Sequence, residues 1–191
     1  MLSSHLATIC QSQANIALAK IQELLGDDKL SWCSSEQREA MDTVLKAQTN
    51  VVVILATGGG KSMLAIIPSL LETNKAMVLV LPLNSLIMDY EHRLQAMSVP
   101  YQVYRSNMTL SPRENLILVS ADTSQTTNWR TAISDLAHRK TIACIMIDEA
   151  HIPLIAKGYR SILQHFYDIR SEPVQLVLLS ATIPPLFMTS L

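Results

Sequence analysis

A strand, a glycine turn and a helix in immediate succession constrain this chain more than any other feature. Val51 to Leu55 are apolar and run straight into Leu55-Ala56-Thr57-Gly58-Gly59-Gly60-Lys61-Ser62, and a helix-like segment, Met63 to Leu71, runs out of it. Glycines let a backbone curl so that successive N–H groups point inward, the geometry that cradles phosphate oxygens. The helix that follows presents its unpaired N–H groups and the positive end of its dipole to the same anion. In such a loop Lys61 reaches the β- and γ-phosphates of a nucleotide, and the Ser62 hydroxyl ligates Mg²⁺. The strict pattern G-x-x-x-x-G-K-[ST] asks for glycine where Leu55 stands. The bland alternative is a glycine-rich turn followed by an incidental lysine. The order of strand, turn, Lys-Ser and helix speaks against it.

With 191 residues the chain is long enough for one sizeable domain with its own core. Apolar residues make up 49% and charged ones 16%, which excludes a disordered or low-complexity chain. The net charge is −1, so no strong whole-surface field for a polyanion exists and only local patches remain to argue from. Cys10, Cys33 and Cys144 are widely spaced and odd in number. They form no zinc or disulfide pattern, as suits a reducing compartment, and Cys144 reads as a small buried hydrophobe inside a strand. The start carries no cluster of lysine or arginine, so no secretory signal is expected. The longest apolar stretch, Ala76 to Met88, is broken by Pro82 and Asn84 and is too short to span a bilayer.

From the amino terminus, Leu6, Ile9, Cys10, Ala14, Ala17, Leu18, Ile21, Leu24 and Leu25 recur at helical spacing. Ser3 or Ser4 can cap the start and Gly26 can end it. Residues 1–28 therefore read as an amphipathic helix and its turn, packed against the domain or against a partner, and residues 29–191 as the domain proper. Ser34-x-x-Gln37 has capping-box spacing at the head of a helix running to about Lys46. Gln37 has a second reading, because a carboxamide before a phosphate loop can read an adenine edge with its paired donor and acceptor. Local sequence leaves both open.

Beyond the loop the pattern alternates. Strands are expected at Ala76 to Leu81, Tyr101 to Tyr104, Asn115 to Ser120, Thr141 to Ile147 and Val174 to Leu179, and helices at Asn84 to Met97, Ser124 to His138 and Ile155 to Ile169. The strands are near-continuous apolar runs. Such runs indicate strands covered on both faces, hence an α/β fold with a mainly parallel sheet between helices.

Two strand ends carry further chemistry. Thr141 to Ile147 runs into Asp148-Glu149-Ala150-His151. Sites of open parallel sheets lie at the carboxyl ends of strands. There Asp148 can hold Mg²⁺, and Glu149 can take a proton from, or orient, a water attacking a γ-phosphate. The competing reading is a solvated acidic turn. No Cys/His spacing surrounds His151, so a metal-ligand role for it is disfavoured. Val177 to Leu179 runs into Ser180-Ala181-Thr182-Ile183-Pro184-Pro185, whose hydroxyls can bond the preceding carboxylates or simply mark a strand exit.

In this order and spacing, Thr57 to Ser62, Asp148 to His151 and Ser180 to Thr182 resemble motifs I, II and III of superfamily 2 helicases. The triple glycine and Ser-Ala-Thr-x-Pro-Pro narrow the resemblance to RecQ-like DNA helicases, over roughly residues 30 to 186. Leu81-Pro82-Leu83-Asn84-Ser85-Leu86 is similar to their motif Ia, and Gln37 with Arg38 and Trp32 to their adenine-reading motif. The resemblance implies a RecA-like P-loop domain. ATP and Mg²⁺ would be bound by Gln37, Thr57, Gly58, Gly59, Gly60, Lys61, Ser62 and Asp148, and Glu149 would be the general base. It makes His151, Ser180 and Thr182 couplers to nucleic acid, and implies ATP-driven 3′-to-5′ unwinding of DNA, single-stranded or fork-like, in the nucleus. Pro82, Leu83, Ser85, Tyr159 and Arg160 are the nucleic-acid candidates.

Three departures qualify this. Val119-Ser120-Ala121-Asp122 stands where the family has Thr-Pro-Glu, a backbone-contacting site. Ile152 to Arg160 lacks the tryptophan of the family's aromatic-rich loop, and only Tyr159-Arg160 echoes its Phe-Arg. Stacking on aromatics is worth about 1–3 kcal/mol per base, so this loss can uncouple DNA binding from hydrolysis. The chain stops at Leu191, where the family continues into a second lobe that supplies arginine fingers. The expectation is an ATP-binding lobe alone, weak or inactive in unwinding, whose second lobe is missing or comes in trans. The alternative is a degenerate lobe that serves as a nucleotide- or partner-binding scaffold.

Overall fold

The computed structural model describes residues 12–72, 74–106, 108–110, 114–139, 141–150 and 174–182. In chain order the elements are α1 (Gln13–Leu25), α2 (Ser35–Lys46), β1 (Val51–Ile54), α3 (Met63–Leu71), β2 (Ala76–Leu81), α4 (Asn84–Ala96), β3 (Gln102–Val103), β4 (Leu116–Ser120), α5 (Ala121–Ser124), α6 (Thr127–His138), β5 (Ile142–Ile147) and β6 (Gln175–Ser180). The strands form one sheet in the order β1-β6-β5-β2-β4-β3, and every pairing is parallel.

The period of two along each strand divides the core between the faces of the sheet. Met77, Leu79 and Leu81 of β2, Leu116 and Leu118 of β4, Cys144 and Met146 of β5, and Val177 and Leu179 of β6 join α1 to α4 on one face. Val78, Val80, Ile117, Val119, Ile145, Ile147 and Leu178 face the other way, onto Trp129, Ile133 and Ala137 of α6. There the Trp129 ring meets Tyr104 edge-on at 4.8 Å between centroids. Each fully buried aliphatic side chain contributes about 1.5–3 kcal/mol. Unbroken apolar strands are thus what two covered faces require.

Helix ends follow local chemistry. The Ser34 hydroxyl accepts the Gln37 N–H at 3.1 Å, and the Gln37 Oε1 accepts the Cys33 N–H at 2.8 Å. This is the reciprocal capping expected at the head of α2, with the return bond one residue further back. Helix α1 ends at Gly26 with φ +67°, the left-handed stop that glycine takes without steric cost. It packs on α2 and α3 through Ala17 and Ile21. Its expected first turns, from Leu6, lie outside the described residues, as do Cys10 and the helix expected at Ile155 to Ile169.

The helix expected from Ser124 to His138 is α6, which begins three residues later at Thr127, and a separate short helix, α5, precedes it. Ser120 caps the short α5 by accepting the Thr123 N–H, and Thr126 starts α6 by accepting the Trp129 N–H at 3.3 Å. A threonine hydroxyl that offers the backbone a new helix start competes with continuation of the old one. Among the described residues, no helix is long and apolar enough to cross a membrane.

Candidate nucleotide site

The parallel register brings the ends of three strands to one edge and ties their loops together by backbone bonds. Ile54 of β1 pairs with Ser180 of β6, and the next N–H, that of Leu55, donates to the Ser180 carbonyl at 3.0 Å. The Asp148 N–H donates to the Val80 carbonyl at 3.0 Å, and the Ala150 N–H to the Leu179 carbonyl at 2.8 Å. The glycine loop, the acidic turn and the Ser-Ala-Thr exit are thereby fixed relative to one another by the sheet.

Between them lies a cavity of about 490 Å³ lined by Thr57, Gly58, Gly60, Lys61, Ser62, Leu86, Asp89, Tyr90, Arg93, Asp148 and Glu149. The loop curls through positive φ at Gly58 (+81°) and Gly60 (+77°). Gly60 meets a second demand: a Cβ there would stand 2.1 Å from the Gln37 Nε2. The Gln37 carboxamide is 3% exposed and packs directly on the loop. Both readings of Gln37 thus concern a side chain that caps α2 while touching the glycine turn. The Lys61 ammonium folds over the loop, donating to the carbonyl oxygens of Leu55 at 2.9 Å and Ala56 at 3.4 Å. Ser62 stands at the start of α3 without capping it by its side chain.

The carboxylates differ in setting. Asp148 is buried, and its Oδ1 accepts the Glu149 N–H and its Oδ2 the Tyr90 hydroxyl, both at 2.9 Å. Glu149 is half-buried and takes φ +47°, a left-handed backbone for a residue with a Cβ. Burial, reinforced by the Asp148 carboxylate, holds the Tyr90 phenol well above its ordinary range.

The donor set fits magnesium carried on phosphates. Mg²⁺ usually takes one or two protein oxygens together with substrate phosphates and water, rather than an all-protein cage. Ser62 and Asp148 line the same cavity and supply oxygens of the right kind. Among the described residues, no cluster of three or more His, Cys, Asp or Glu could hold a metal without such a ligand.

A family model described as DEAD/DEAH box helicase matches residues 34–189. This chain belongs to the DEAD/DEAH box helicases. Its curated relatives are of the RecQ type. Over 144 residues it is 27% identical to the ATP-dependent DNA helicase Q5 of Mus musculus, a match covering 69% of this chain and 14% of that protein. Over 159 residues it is 30% identical to the ATP-dependent DNA helicase RecQ of Haemophilus influenzae, covering 78% of this chain and 23% of that one. The chain thus spans under a quarter of the length of these relatives. Among solved structures, the fold matches S. cerevisiae Dbp5 bound to RNA and ADP BeF3 with a TM-score of 0.64 at 18% identity, over 91% of this chain and 46% of that one. It matches the DUF1998 helicase MrfA equally well (TM-score 0.64, 17% identity), over 88% of this chain and 29% of that one. The expected RecA-like α/β lobe is the fold observed.

In this helicase-family lobe the cavity gathers Thr57, Gly58, Gly60, Lys61, Ser62, Asp148 and Glu149, while Gln37 touches it through Gly60. Ser180 and Thr182 close on each other at the strand exit: the Ser180 hydroxyl donates to the Thr182 carbonyl at 2.5 Å and accepts the Thr182 N–H at 3.2 Å. Pro82, Leu83 and Ser85 sit at the end of β2 and the first turn of α4, and Leu83 is 53% exposed. His151, Tyr159 and Arg160 lie outside the described residues. Sequence reasoning missed the α4 wall of the cavity. Its signal was present: Leu86, Asp89, Tyr90 and Arg93 fall at i, i+3, i+4 and i+7, a single helical stripe that begins just after a strand end.

Proposed function

We propose that this chain is the ATP-binding lobe of a RecQ-like DNA helicase. The observation that carries this reading is the single cavity uniting the loop residues Thr57 to Ser62 with Asp148 and Glu149. Nucleotide phosphates would enter the curl of Gly58, Gly59 and Gly60, drawing Lys61 off the Leu55 and Ala56 carbonyls and onto phosphate oxygens. The ammonium readily exchanges bonds to neutral carbonyl oxygens for bonds to anionic phosphate oxygens, where both partners carry charge. Ser62 and Asp148 would hold Mg²⁺, which neutralises phosphate charge when bound. Glu149 would orient the attacking water and accept its proton, and Gln37 would read the adenine edge.

Pro82, Leu83 and Ser85 would meet the nucleic acid, with Ser180 and Thr182 coupling it to the nucleotide site. His151, Tyr159 and Arg160 keep the roles that the family resemblance implies for them. The partner would be DNA, single-stranded or forked, and the family activity 3′-to-5′ unwinding. That activity needs a second lobe, whose arginine finger is worth about 10³–10⁵ in rate, so turnover by this chain alone should be slow. The test is ATP turnover by the purified chain with and without single-stranded DNA, with Lys61→Ala as control. Turnover that depends on Lys61 and rises with DNA supports the reading. A folded chain with no nucleotide-dependent thermal shift overturns it.

One observation favours a non-catalytic scaffold as the second reading. At the position of the family's backbone-contacting motif, the buried Ser120 hydroxyl is consumed in capping α5. Nucleotide binding without turnover above the Lys61→Ala control would favour that alternative.

A further inference from the structure

Tyr90 reaches the acidic turn from an element outside the loop, the acids and the strand exit. It lies in the middle of α4, on the stripe Ile87, Tyr90 and Leu94 that packs on the sheet, and it also forms part of the cavity wall. Its ring is buried, and its hydroxyl donates to the Asp148 Oδ2 at 2.9 Å across 58 residues of sequence. The other oxygen of that carboxylate accepts the Glu149 N–H at 2.9 Å. Asp148 is thus gripped at both oxygens, on one side by the backbone of its own turn and on the other by α4.

We propose that Tyr90 is a positioning residue for the divalent metal, setting the rotamer of Asp148 so that its free lone pairs face the phosphates. The inference rests on the reading of this cavity as a Mg·nucleotide site. Two physical points carry it. Each carboxylate oxygen has two lone pairs, so the bond from Tyr90 uses one on Oδ2 and leaves the other for a metal or a metal-bound water. A carboxylate with both oxygens tied does not have to be ordered when the metal arrives. Partners of this kind typically change metal affinity by about 10–100-fold when removed. Arg93 lies one turn further along α4, with its guanidinium carbon 6.0 Å from the Tyr90 ring centroid, and lines the same cavity. The ring is therefore fixed on its sheet side by the core and flanked on its cavity side by a cation.

The test uses the whole 191-residue chain and a fluorescent N-methylanthraniloyl ADP probe, titrated in EDTA and across a Mg²⁺ series. Tyr90→Phe keeps the ring and removes only the hydroxyl. The expected result is an unchanged probe affinity in EDTA and a Mg²⁺ midpoint raised about tenfold. Asp148→Asn should lose most of the Mg²⁺ dependence, and adding Tyr90→Phe to it should change nothing further. A purely structural role for Tyr90 would weaken probe binding equally with and without metal. Tyr90→Gln, which restores a shorter donor, serves should the Phe variant fail to fold, and should recover part of the midpoint. A Phe variant with the wild-type Mg²⁺ midpoint overturns the inference alone. A wild-type chain that binds no probe in either condition overturns the nucleotide reading and the inference with it.

Discussion

The Lys61 ammonium donates to the carbonyl oxygen of Leu55, at 2.9 Å, the residue that stands where the phosphate-loop pattern asks for glycine. The Leu55 side chain is turned into the core, 6% exposed, so the substitution leaves the cavity clear and only its backbone faces the lysine. Lys61→Ala should leave the fold intact, because a bond from a charged donor contributes about 1.5–3 kcal/mol, a fraction of the roughly 5–15 kcal/mol that holds a domain folded. It should abolish the response to nucleotide. At a hundredfold excess over Kd, Mg·ATP should stabilise the wild-type chain by about 2.7 kcal/mol, a rise of roughly 5 °C or more in Tm, and the variant by nothing measurable. Thermal denaturation with and without Mg·ATP decides it.

Gly60→Ala should be damaging for two separable reasons. A residue with a Cβ at φ +77° loses about 1–2 kcal/mol, and the new Cβ would also drive into the Gln37 carboxamide. Moving Gln37 breaks its bond to the Cys33 N–H and loosens the head of α2. Removing the obstacle with Gln37→Ala should relieve the clash but not the backbone cost. Urea denaturation of the two single variants and the double variant should then show a coupling of about 1 kcal/mol or more. Strict additivity would mean that the two residues do not touch.

The strand, glycine turn and helix of residues 51–71, the two acidic residues at a strand end and the parallel sheet of an α/β lobe were legible because each rests on a local rule. Glycines beside Lys-Ser, apolar runs ending in Asp148-Glu149, and strands without alternation all follow from what neighbouring residues must do. Gln37 was legible as a cap for the same reason. Tyr90 was not, since its partner Asp148 lies 58 residues away and only the sheet order β5-β2 brings α4 to the acidic turn. The left-handed turn at Glu149 was equally hidden, because no sequence rule puts a glutamate at positive φ. The later start of α6 was readable in principle, since threonine three residues before Trp129 is a capping position, but the helical spacing masked it.

Stability should fall on the alkaline side from about pH 9, and Cys144 should be one cause. The thiol is 2% exposed in β5, and burial pushes its pKa well above the ordinary value of 9.0. Its folded pKa is raised. The stability it contributes is therefore complete below the unfolded value and is lost as pH climbs from there toward the folded one, since only the unfolded chain releases the proton. That loss has a limiting slope of about 1.4 kcal/mol per pH unit. Cys144→Ala should lower stability at neutral pH by leaving a small cavity, yet remove roughly one proton's worth of alkaline slope. Urea denaturation between neutral pH and about pH 10.5 measures both, and an unchanged slope would show that the thiol titrates alike in both states.

Glu149 holds φ +47° directly after the buried Asp148, a conformation that costs a residue with a Cβ about 1 kcal/mol or more. The same backbone lets its N–H reach the Asp148 Oδ1, so the strain is coupled to the grip on that carboxylate. Glu149→Gln keeps the strain and removes the charge, whereas Glu149→Gly removes both. If Glu149 orients the water and takes its proton, both variants should bind Mg·ATP and lose turnover by about 10²–10⁴-fold. They should part on stability, with the glycine variant more resistant to urea than the glutamine variant by about 1 kcal/mol. A glycine variant that is the weaker of the two would mean that the side chain adds more packing than its backbone costs. Turnover preserved in the glutamine variant would pass the proton-accepting role to another group in the cavity, with Asp89 on α4 the first to test.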